Sequence, residues 1–430
     1  MIAMEGRVAI TFNDWTQSRA VVSLGTNTGA DILPFQMWRR FKEAFAPEFV
    51  ARAIAESALP VRNCLDPFGG SGTTALSCQF LGVHPVTIEV NPYLADLIES
   101  KLTTYDADLL AREFGSIFRH ADACSVEELA GDFGNLPPTF VEPGVGGRWL
   151  FSRAVAGRLA ALLRGIGQLP DERHRRFFRV LLGGILVDIS NVSVNGKGRR
   201  YRGGWEGKQR TVADLDRAFR AVAARAIADV HRFSPRLCAS YELRRGDCKR
   251  MLQDPVPCDL AVFSPPYPNS FDYTDIYNVE LWILGYLDTP VSCQALRAST
   301  LYSHVQITRD NPGAPVGSPR LDTTIERLLA RRDELWSRQL PEMVSGYFRD
   351  MADVLERMRG WIREDGQVWM VVGDSRYADV QIETAAILAD LAPHSGWVVR
   401  TAEPCRSMRA SPQQGGSFAL SETLLVLARD

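Results

Sequence analysis

The sequence lacks the residue spacings that mark metal-dependent or disulfide-bonded proteins. Its 430 residues include eight cysteines and six histidines. No two cysteines form a C-x-x-C pair, and the histidines do not cluster with them. A structural zinc site or a disulfide framework would need such spacings. We therefore expect no metal, and we expect the cysteines to be reduced and mostly buried.

The chain also lacks an excess of positive charge and long apolar runs. Its formal net charge is −2, whereas a protein that coats nucleic acid is usually basic overall. Any nucleic-acid surface must then be a local patch. The longest apolar stretch, residues 180–187, is too short to span a bilayer, and the first residues do not have the pattern of a secretory signal. We expect a cytoplasmic protein with no membrane partner.

The spacing of apolar residues predicts alternating strands and helices. Hydrophobic residues make up 46% of the chain, which allows a large core. Strands are predicted at 61–65, 84–90, 240–245, 260–263, 367–372, 397–401 and 423–428. Helices are predicted at 73–81, 150–166, 171–189, 212–231 and 347–362. This alternation is typical of an α/β protein with a mostly parallel sheet covered on both faces, and the last two strands could form an antiparallel pair.

The first motif with chemical content is a glycine-rich turn, DPFGGSGTT, at residues 66–74. It follows a predicted strand and opens a predicted helix, which is the sheet edge where open α/β proteins bind ligands. Glycines there let a ligand approach the backbone without meeting a Cβ atom. The turn is neither a dinucleotide G-x-G-x-x-G fingerprint nor a phosphate loop, since no Gly-Lys-Ser/Thr follows. A purely structural turn remains the alternative.

An acidic residue ends the next predicted strand. Glu89 stands in the segment IEVNP, about twenty residues after the turn, where an acid typically accepts hydrogen bonds from ribose hydroxyls. The alternative is a solvated acid beside Asn91, which could cap the helix that follows Pro92. Together, the turn and the acid indicate a cofactor that contains a nucleoside.

A proline-stiffened segment, SPPY, directly follows the apolar strand predicted at 260–263. The two prolines hold an extended backbone without N–H donors, so this segment presents acceptors to a guest that donates. The tyrosine offers a flat face for stacking. An exocyclic base amine, with two N–H donors beside a planar ring, is such a guest. The alternative is a rigid turn that only ends the strand.

In this order, DPFGGSGTT, IEVNP and SPPY resemble the S-adenosylmethionine-dependent amino-methyltransferases that modify DNA. The SPPY variant resembles the cytosine-N4 branch, because adenine-N6 enzymes more often have Asp or Asn in the first position. The likeness extends through SPPYPNSFDYTDIYNVELWILG and covers roughly residues 35–105 and 240–430. It implies a Rossmann-like class I methyltransferase fold, with a mostly parallel seven-stranded sheet, a C-terminal antiparallel hairpin and a helical insertion.

The resemblance also implies roles for individual residues. The implied catalytic residues are Ser264, Pro265, Pro266 and Tyr267. The residues expected to bind S-adenosylmethionine are Asp66, Phe68, Gly70, Gly72, Thr73, Glu89, Asp247 and Phe45. Among these, Glu89 would bind the ribose and Asp247 the adenine. Phe45 would close over the methionine end, although its segment lacks the basic residue that often precedes the aromatic.

The implied reaction is methylation of the N4 amine of cytosine in double-stranded DNA. Hydrogen bonds to the Ser264 hydroxyl and the Pro265 carbonyl would aim the amine's lone pair, and the base would be flipped out of the duplex onto Tyr267. Asp272 could take the released proton. Three alternatives stay open: an adenine-N6 DNA methyltransferase, an RNA amine methyltransferase, and a catalytically silent DNA-binding subunit. The family's role in restriction-modification or DNA marking would pair the chain with a cognate restriction endonuclease.

Basic and aromatic residues alternate in the segment NGKGRRYRGGWEGKQR, residues 195–210. We predict a flexible loop that contacts DNA phosphates, with Tyr201 and Trp205 available for stacking or wedging. A solvated surface loop is the alternative. The expected DNA-binding residues are Lys197, Arg199, Arg200, Arg202, Lys208 and Arg210.

The position of this loop predicts three regions with different functions along the chain. Residues 1–105 would form the first part of the catalytic domain, with the cofactor loop. Residues 106–235 would be a helical insertion that recognises DNA. Residues 236–430 would complete the catalytic domain with SPPY.

Overall fold

The computed structural model describes residues 9–21, 23–40, 44–124, 133–195, 198–310, 313–409 and 419–429. The strands in these ranges are β1 (Asn63–Asp66), β2 (His84–Glu89), β3 (Val192–Asn195), β4 (Gly198–Tyr201), β5 (Glu242–Arg245), β6 (Cys258–Phe263), β7 (Ile362–Gly373), β8 (Ser375–Tyr377), β9 (Val380–Ile382), β10 (Trp397–Arg409) and β11 (Ala419–Arg429). The α-helices are α1 (Phe12–Thr16), α2 (Pro47–Ala55), α3 (Thr73–Leu81), α4 (Pro92–Leu102), α5 (Ala107–Ala123), α6 (Arg153–Gly167), α7 (Glu172–Ile189), α8 (Val212–Phe233), α9 (Cys248–Met251), α10 (Tyr273–Ile276), α11 (Asn278–Ile283), α12 (Pro290–Ala298), α13 (Pro319–Ala330), α14 (Leu340–Met358) and α15 (Thr384–Leu391).

The main sheet has seven strands in the order β10-β11-β7-β6-β1-β2-β5. Strands β7, β6, β1, β2 and β5 are parallel to their neighbours in this series. Strand β11 is antiparallel to both β7 and β10. This arrangement confirms the predicted Rossmann-like fold with its C-terminal antiparallel hairpin. The chain reverses its winding between β1 and β6, and ligands of such sheets bind at that point, beyond the carboxyl ends of the strands.

The central strands are buried on both faces. Every residue of β6 is buried, as expected for a parallel strand between two helical layers. Leu260 and Val262 pack toward α2 and α3, while Ala261 and Phe263 pack toward α13, α14 and α15. This alternation follows from the two-residue repeat of a strand.

Helices α5 to α8 and the β3–β4 hairpin lie between β2 and β5, which confirms that this stretch is a mostly helical insertion. Its apolar residues share one core with α3, α4 and the N-terminal segment. The insertion is therefore packed against the sheet's helical layer. Its assignment to DNA recognition stays a prediction.

The predicted elements are present, but several of their ends and one predicted loop are wrong. Helix α3 covers the predicted residues and ends at Gly82, which has a left-handed φ of 77°. The helix predicted at 347–362 begins earlier, at Leu340, and Ile362 instead opens β7. The segment 193–210, predicted to be a flexible loop, instead contains the end of β3, strand β4 and a 3₁₀ turn at Trp205–Gly207.

All eight cysteines are free thiols, five of them buried and three half-buried. No helix in the described ranges is long and apolar enough to cross a membrane. In the same ranges, no group of three or more His, Cys, Asp or Glu side chains is arranged to hold a metal ion.

Candidate active site

A cavity lies beyond the carboxyl ends of β1, β2 and β6. It holds about 1050 Å³ of space, part of it open to solvent. Its walls come from the glycine-rich turn, from the residues that end β2, from Ser264 and Pro266 after β6, and from the segment that runs from α12 to His304. The sheet thus brings together three motifs that are far apart in the sequence.

The glycine-rich turn depends on glycine for both conformation and space. Gly70 and Gly72 have left-handed φ values of 52° and 81°, and Gly72 precedes α3 as its N-cap. Gly69 has no room for a side chain, because a Cβ atom there would lie 2.5 Å from Cγ2 of Thr87 and 2.8 Å from Cδ1 of Ile98. The turn therefore packs directly on β2 and α4 while its other side faces the cavity.

Glu89 ties the end of β2 to this turn. Its Oε2 accepts a hydrogen bond from the Gly70 N–H at 2.7 Å, and its Oε1 accepts one from the Asn91 N–H at 2.7 Å. Burial raises the pKa of the Glu89 carboxyl to about 7. Asn91 caps α4 with its own side chain, as the alternative interpretation of this segment expected.

Asp66 is the second buried carboxyl group on the cavity wall. Its Oδ1 accepts a hydrogen bond from the Phe68 N–H at 2.9 Å. Burial raises the pKa of Asp66 to about 7 as well. The cavity therefore has two carboxyl groups whose charge changes near neutral pH.

Lys101, on α4, forms a hydrogen bond with the glycine-rich turn. Sequence reasoning missed this residue. Its Nζ atom donates to the Ser71 carbonyl at 2.8 Å, and the side chain is almost completely buried. Burial lowers the pKa of the Lys101 amine to about 7. A lysine within a helix gives no local sign of such a contact, so only the fold identifies it.

The other predicted cofactor residues occupy different places around the cavity. Phe45, Phe68 and Thr73 line it. Gly72 lies in the turn but does not line the cavity. Asp247 is the N-cap of α9, where its Oδ1 accepts from the Lys249 N–H at 3.0 Å. Its two neighbours in sequence line the cavity, whereas Asp247 does not.

The Ser264 hydroxyl lies on the cavity wall with two oxygen atoms beside it. Its Oγ is 2.9 Å from the Val371 carbonyl oxygen and 3.2 Å from the Tyr267 hydroxyl. Both neighbours are acceptors, because a carbonyl oxygen can only accept and the Tyr267 hydroxyl gives its own proton to Glu422. Ser264 therefore donates its single proton to this pair, with Val371 at the shorter distance, and receives none from it. The Ser264 oxygen consequently keeps lone pairs with which it can accept hydrogen bonds from a guest in the cavity.

The other members of SPPY surround this serine. Pro266 lines the cavity, and Pro265 is buried beside it. The half-buried Tyr267 donates its hydroxyl proton to Oε1 of Glu422 on β11 at 2.7 Å. Glu422 is buried and pairs with Arg406 on β10, with 2.5 Å between the Arg406 Nε and Glu422 Oε2 atoms. Sequence reasoning missed Glu422, since it lies 155 positions from Tyr267.

Asp272 holds the segment after SPPY, with one hydrogen bond accepted by each of its carboxylate oxygens. Its Oδ1 accepts from the Thr274 N–H at 2.8 Å, which caps α10, and its Oδ2 accepts from Nε of Arg297 at 2.7 Å. Asp272 does not line the cavity. The suggestion that it takes the released proton therefore has no geometric support.

The wall opposite the turn was also missed by sequence reasoning. It includes His304, a buried residue whose Nε2 accepts from Nη2 of Arg309 at 3.0 Å. Burial lowers the pKa of His304 to about 4, so the ring is neutral at physiological pH. Arginine cannot accept a hydrogen bond, so the ring proton must lie on Nδ1.

The predicted DNA-binding residues differ in how free their side chains are. We call β3, β4 and the residues that follow as far as Arg210 the basic hairpin; β4 packs against α10, directly after SPPY. Arg200, Lys208 and Arg210 are exposed. Lys197 lies outside the described residues.

Two other side chains of the basic hairpin make contacts within the protein. Arg202 donates to the Val187 carbonyl at 2.9 Å and the Ser190 carbonyl at 3.3 Å, so it caps the end of α7. Arg199 is half-buried, with its guanidinium carbon 5.3 Å from the centre of the Phe140 ring.

Trp205, expected to be available for wedging, is instead buried. Its ring packs edge-on against Trp149, with the ring centres 5.0 Å apart. Tyr201 lies 5.3 Å from Trp205 and is half-buried. Neither ring projects freely from the hairpin.

No protein-family model matches this chain. It is similar to the Type II methyltransferase M.AvaI of Nostoc sp., with 25% identity over 423 residues that cover 89% of this chain and 82% of the relative. It is also similar to the Type II methyltransferase M.BsoBI of Geobacillus stearothermophilus, with 23% identity over 303 residues that cover 63% of this chain and 56% of the relative. These homologues agree with the methyltransferase character of the fold.

Proposed function

We propose that this chain, whose homologues are Type II methyltransferases, is a DNA methyltransferase of a restriction-modification system that methylates the N4 amine of cytosine. The observation that carries the proposal is the Ser264 hydroxyl, whose proton is donated within the protein while its lone pairs remain available to a guest in the cavity. A base amine is a guest of that kind, since its N–H groups can only donate while it remains conjugated to the ring.

The residues around the cavity fit S-adenosylmethionine as the cofactor. The turn at 66–74 brings bare backbone to the cavity wall, and Gly69 is packed too tightly to carry a side chain. Glu89 would hold the ribose hydroxyls, because each of its oxygens accepts one backbone hydrogen bond and has a lone pair left. Phe45 and Phe68 supply apolar walls. When bound, this cofactor supplies a methyl group on a sulfonium.

The chain's own contribution to the reaction is to orient the amine. Its lone pair is delocalised into the base ring, so the amine is a poor nucleophile. Hydrogen bonds from its N–H groups to Ser264 Oγ and the Pro265 carbonyl would localise that lone pair and fix its direction. Holding reactants in such a geometry can supply several kcal/mol of the barrier.

A target base in a duplex has to leave the base stack to reach this site. Flipping costs a few kcal/mol, and stacking on the half-buried Tyr267 would offset about 1–3 kcal/mol of it. The methylated nitrogen is strongly acidic, so its proton can pass to water without a dedicated base. The position of Asp272, which does not line the cavity, agrees with this view.

The exposed basic residues of the basic hairpin would contact DNA phosphates. Arg200, Lys208 and Arg210 are the candidates with free side chains. Because β4 packs against α10, the hairpin lies beside the segment that follows SPPY. Phosphate contacts there would hold a duplex close to the cavity.

Two alternatives share the same fold and cavity. An adenine-N6 enzyme would use the same acceptors, and only the base differs. A silent DNA-binding subunit is disfavoured by the intact SPPY motif and glycine-rich turn, because a chain without catalysis has no need of them. The serine in the first position of SPPY favours cytosine through the family resemblance.

Replacement of Ser264 by alanine tests the proposal. Removing one oriented hydrogen-bonding group from an active site typically lowers kcat roughly a hundredfold. We expect Ser264→Ala to lose that much methyl transfer to DNA while its affinity for S-adenosylmethionine stays within a factor of two or three of wild type. Ser116→Ala is the matched control, since the Ser116 hydroxyl only bonds the Glu113 carbonyl within α5. Equal rates for Ser264→Ala and Ser116→Ala would contradict the proposed role.

A further inference from the structure

We propose that Glu422, held by Arg406, is a positioning residue that fixes the Tyr267 ring as the stacking surface for the target base. This inference rests on the proposed function. It adds a role for the C-terminal hairpin, β10 and β11, which carries none of the motifs found in the sequence.

The contact between the two residues is direct and one-directional. The Tyr267 hydroxyl donates to Oε1 of Glu422 at 2.7 Å, and a carboxylate can only accept. Burial, together with the nearby Glu422 charge, raises the pKa of the Tyr267 phenol well above its usual range. The tyrosine therefore keeps its proton and remains the donor of this hydrogen bond.

Glu422 is itself held firmly. It is 2% exposed, and Arg406 reaches its two oxygens at 2.5 and 3.2 Å, so the buried charge is paired. From the other side the N-terminal segment closes over it, because a Cβ atom on Gly25 would lie only 2.8 Å from Oε2. The carboxylate thus has little freedom to follow the tyrosine if the ring moves.

Tyr267 follows Pro266, which lines the cavity, although Tyr267 itself does not line it. The residue as a whole is half-buried, although its hydroxyl is bonded inside the protein. A tyrosine ring that is held by its hydroxyl is pre-organised for stacking, since the rotation about its side-chain bonds is already restricted before a base arrives. Glu422 would therefore act through Tyr267 and would not touch the substrate.

The first test reads the tyrosine directly and needs no methyl transfer. The full chain is labelled with 3-fluorotyrosine, and its ¹⁹F resonance for Tyr267 is identified by its absence in Tyr267→Phe. We expect Glu422→Ala to shift or broaden this resonance, and Glu422→Gln, which keeps an acceptor, to change it less. Glu403→Ala is the matched control. Glu403 lies on β10 of the same hairpin, and its replacement breaks an ion pair with Arg52 on α2. A Tyr267 resonance identical in wild type and Glu422→Ala would overturn the proposal.

Gly25→Ala provides a second variant in case Glu422→Ala does not fold. It leaves the chemistry of Glu422 intact and pushes on Oε2, so it should move the Tyr267 resonance in the same sense. An unchanged resonance in both Gly25→Ala and Glu422→Gln would count against the proposal as well.

The second test measures the consequence for catalysis. A misplacement of about 1 Å can cost roughly a hundredfold in rate, so we expect Glu422→Ala to lower kcat ten- to a hundredfold with unchanged cofactor affinity. Glu422→Gln should recover part of that loss. In the Tyr267→Phe background, which has no hydroxyl to anchor, Glu422→Ala should have little further effect. Fully additive losses would contradict the proposal. A wild-type chain that methylates no nucleic acid would instead contradict the proposed function. In that case the ¹⁹F measurement alone would test the role of Glu422.

Discussion

Glu89 links the glycine-rich turn to β2 through two backbone hydrogen bonds while lying almost out of contact with water. Ribose hydroxyls need acceptors, and a protonated carboxyl group offers fewer of them than a carboxylate. Burial also raises the pKa of Glu89 to about 7, so the charge of this carboxyl group changes near neutral pH.

We expect the affinity for S-adenosylmethionine to fall as the pH is lowered from 8 to 6. Without cofactor the pKa of Glu89 is raised to about 7, so the carboxylate predominates above pH 7 and the neutral acid below it. Calorimetric titration at several pH values measures the change. Glu89→Gln should bind more weakly with a smaller pH dependence, the remainder coming from Asp66 and Lys101, whose pKa values also lie at about 7. An affinity for wild type that is constant from pH 6 to 8 would refute this prediction.

At the scale of single residues, sequence reasoning found those that stand in a contiguous motif. Asp66, Glu89 and Ser264 belong to short strings next to a strand, where a local pattern indicates the role. Lys101 and Glu422 reach the site only through the fold. Nothing in the residues around either one predicts a contact with the turn or with Tyr267.

The glycine-rich turn is the element on which the cofactor site depends most. Its backbone is pressed against β2 and α4 at Gly69, where no side chain fits. Any added atom must move the turn, Thr87 or Ile98.

Gly69→Ala should therefore weaken cofactor binding roughly tenfold or more and lower Tm, because overpacking a tight site typically costs about 1–3 kcal/mol. Gly157→Ala in α6 is the control, since no atom lies within 4 Å of a Cβ placed there. That substitution should leave binding unchanged and raise stability by up to about 1 kcal/mol. Thermal unfolding with and without S-adenosylmethionine measures both effects, and a Gly69→Ala chain that binds normally would show that the turn tolerates a side chain.

The basic hairpin shows why charge pattern alone does not define an interface. Arg200 is exposed, whereas Arg202 is bound to carbonyls at the end of α7. The two arginines are two positions apart, and their different roles depend on strand pairing that the sequence did not indicate.

Arg200→Ala should weaken DNA binding and reduce the slope of log affinity against log salt by about 0.9, the value for one phosphate contact, without changing Tm. Arg202→Ala should instead lower Tm, because it removes the hydrogen bonds that end α7. Fluorescence anisotropy over a range of salt concentrations, with thermal unfolding beside it, separates the two. An unchanged salt slope for Arg200→Ala would exclude this part of the hairpin from the interface.

At the level of elements, the sequence predicted the sheet better than the ends of the helices. Strand β6 is an uninterrupted apolar run, and α3 ends at a glycine, so both have clear local signals. Between helix α14 and β7 the sequence has Gly360, but the predicted helix ran through this glycine to Ile362. The β3–β4 hairpin has too few apolar residues to stand out as strands.

For the whole molecule, the parallel sheet assembles one cavity from parts that are up to a few hundred residues apart. The turn, Glu89 and Ser264 meet because their strands lie side by side with carboxyl ends at the same edge. Strand β11 inserts antiparallel beside β7 and brings Glu422 to Tyr267. The insertion places the basic hairpin next to α10, so catalysis and DNA contact would share one face of the protein.

The most direct measurement is the identity of the methylated nucleoside. The purified chain is incubated with labelled S-adenosylmethionine and duplex DNA of mixed sequence, and the DNA is digested to nucleosides and separated. We predict label in N4-methyl-2′-deoxycytidine, lost in Ser264→Ala. Label in N6-methyl-2′-deoxyadenosine would contradict the choice of cytosine, and a chain that binds the cofactor but labels no DNA would contradict the proposed activity itself.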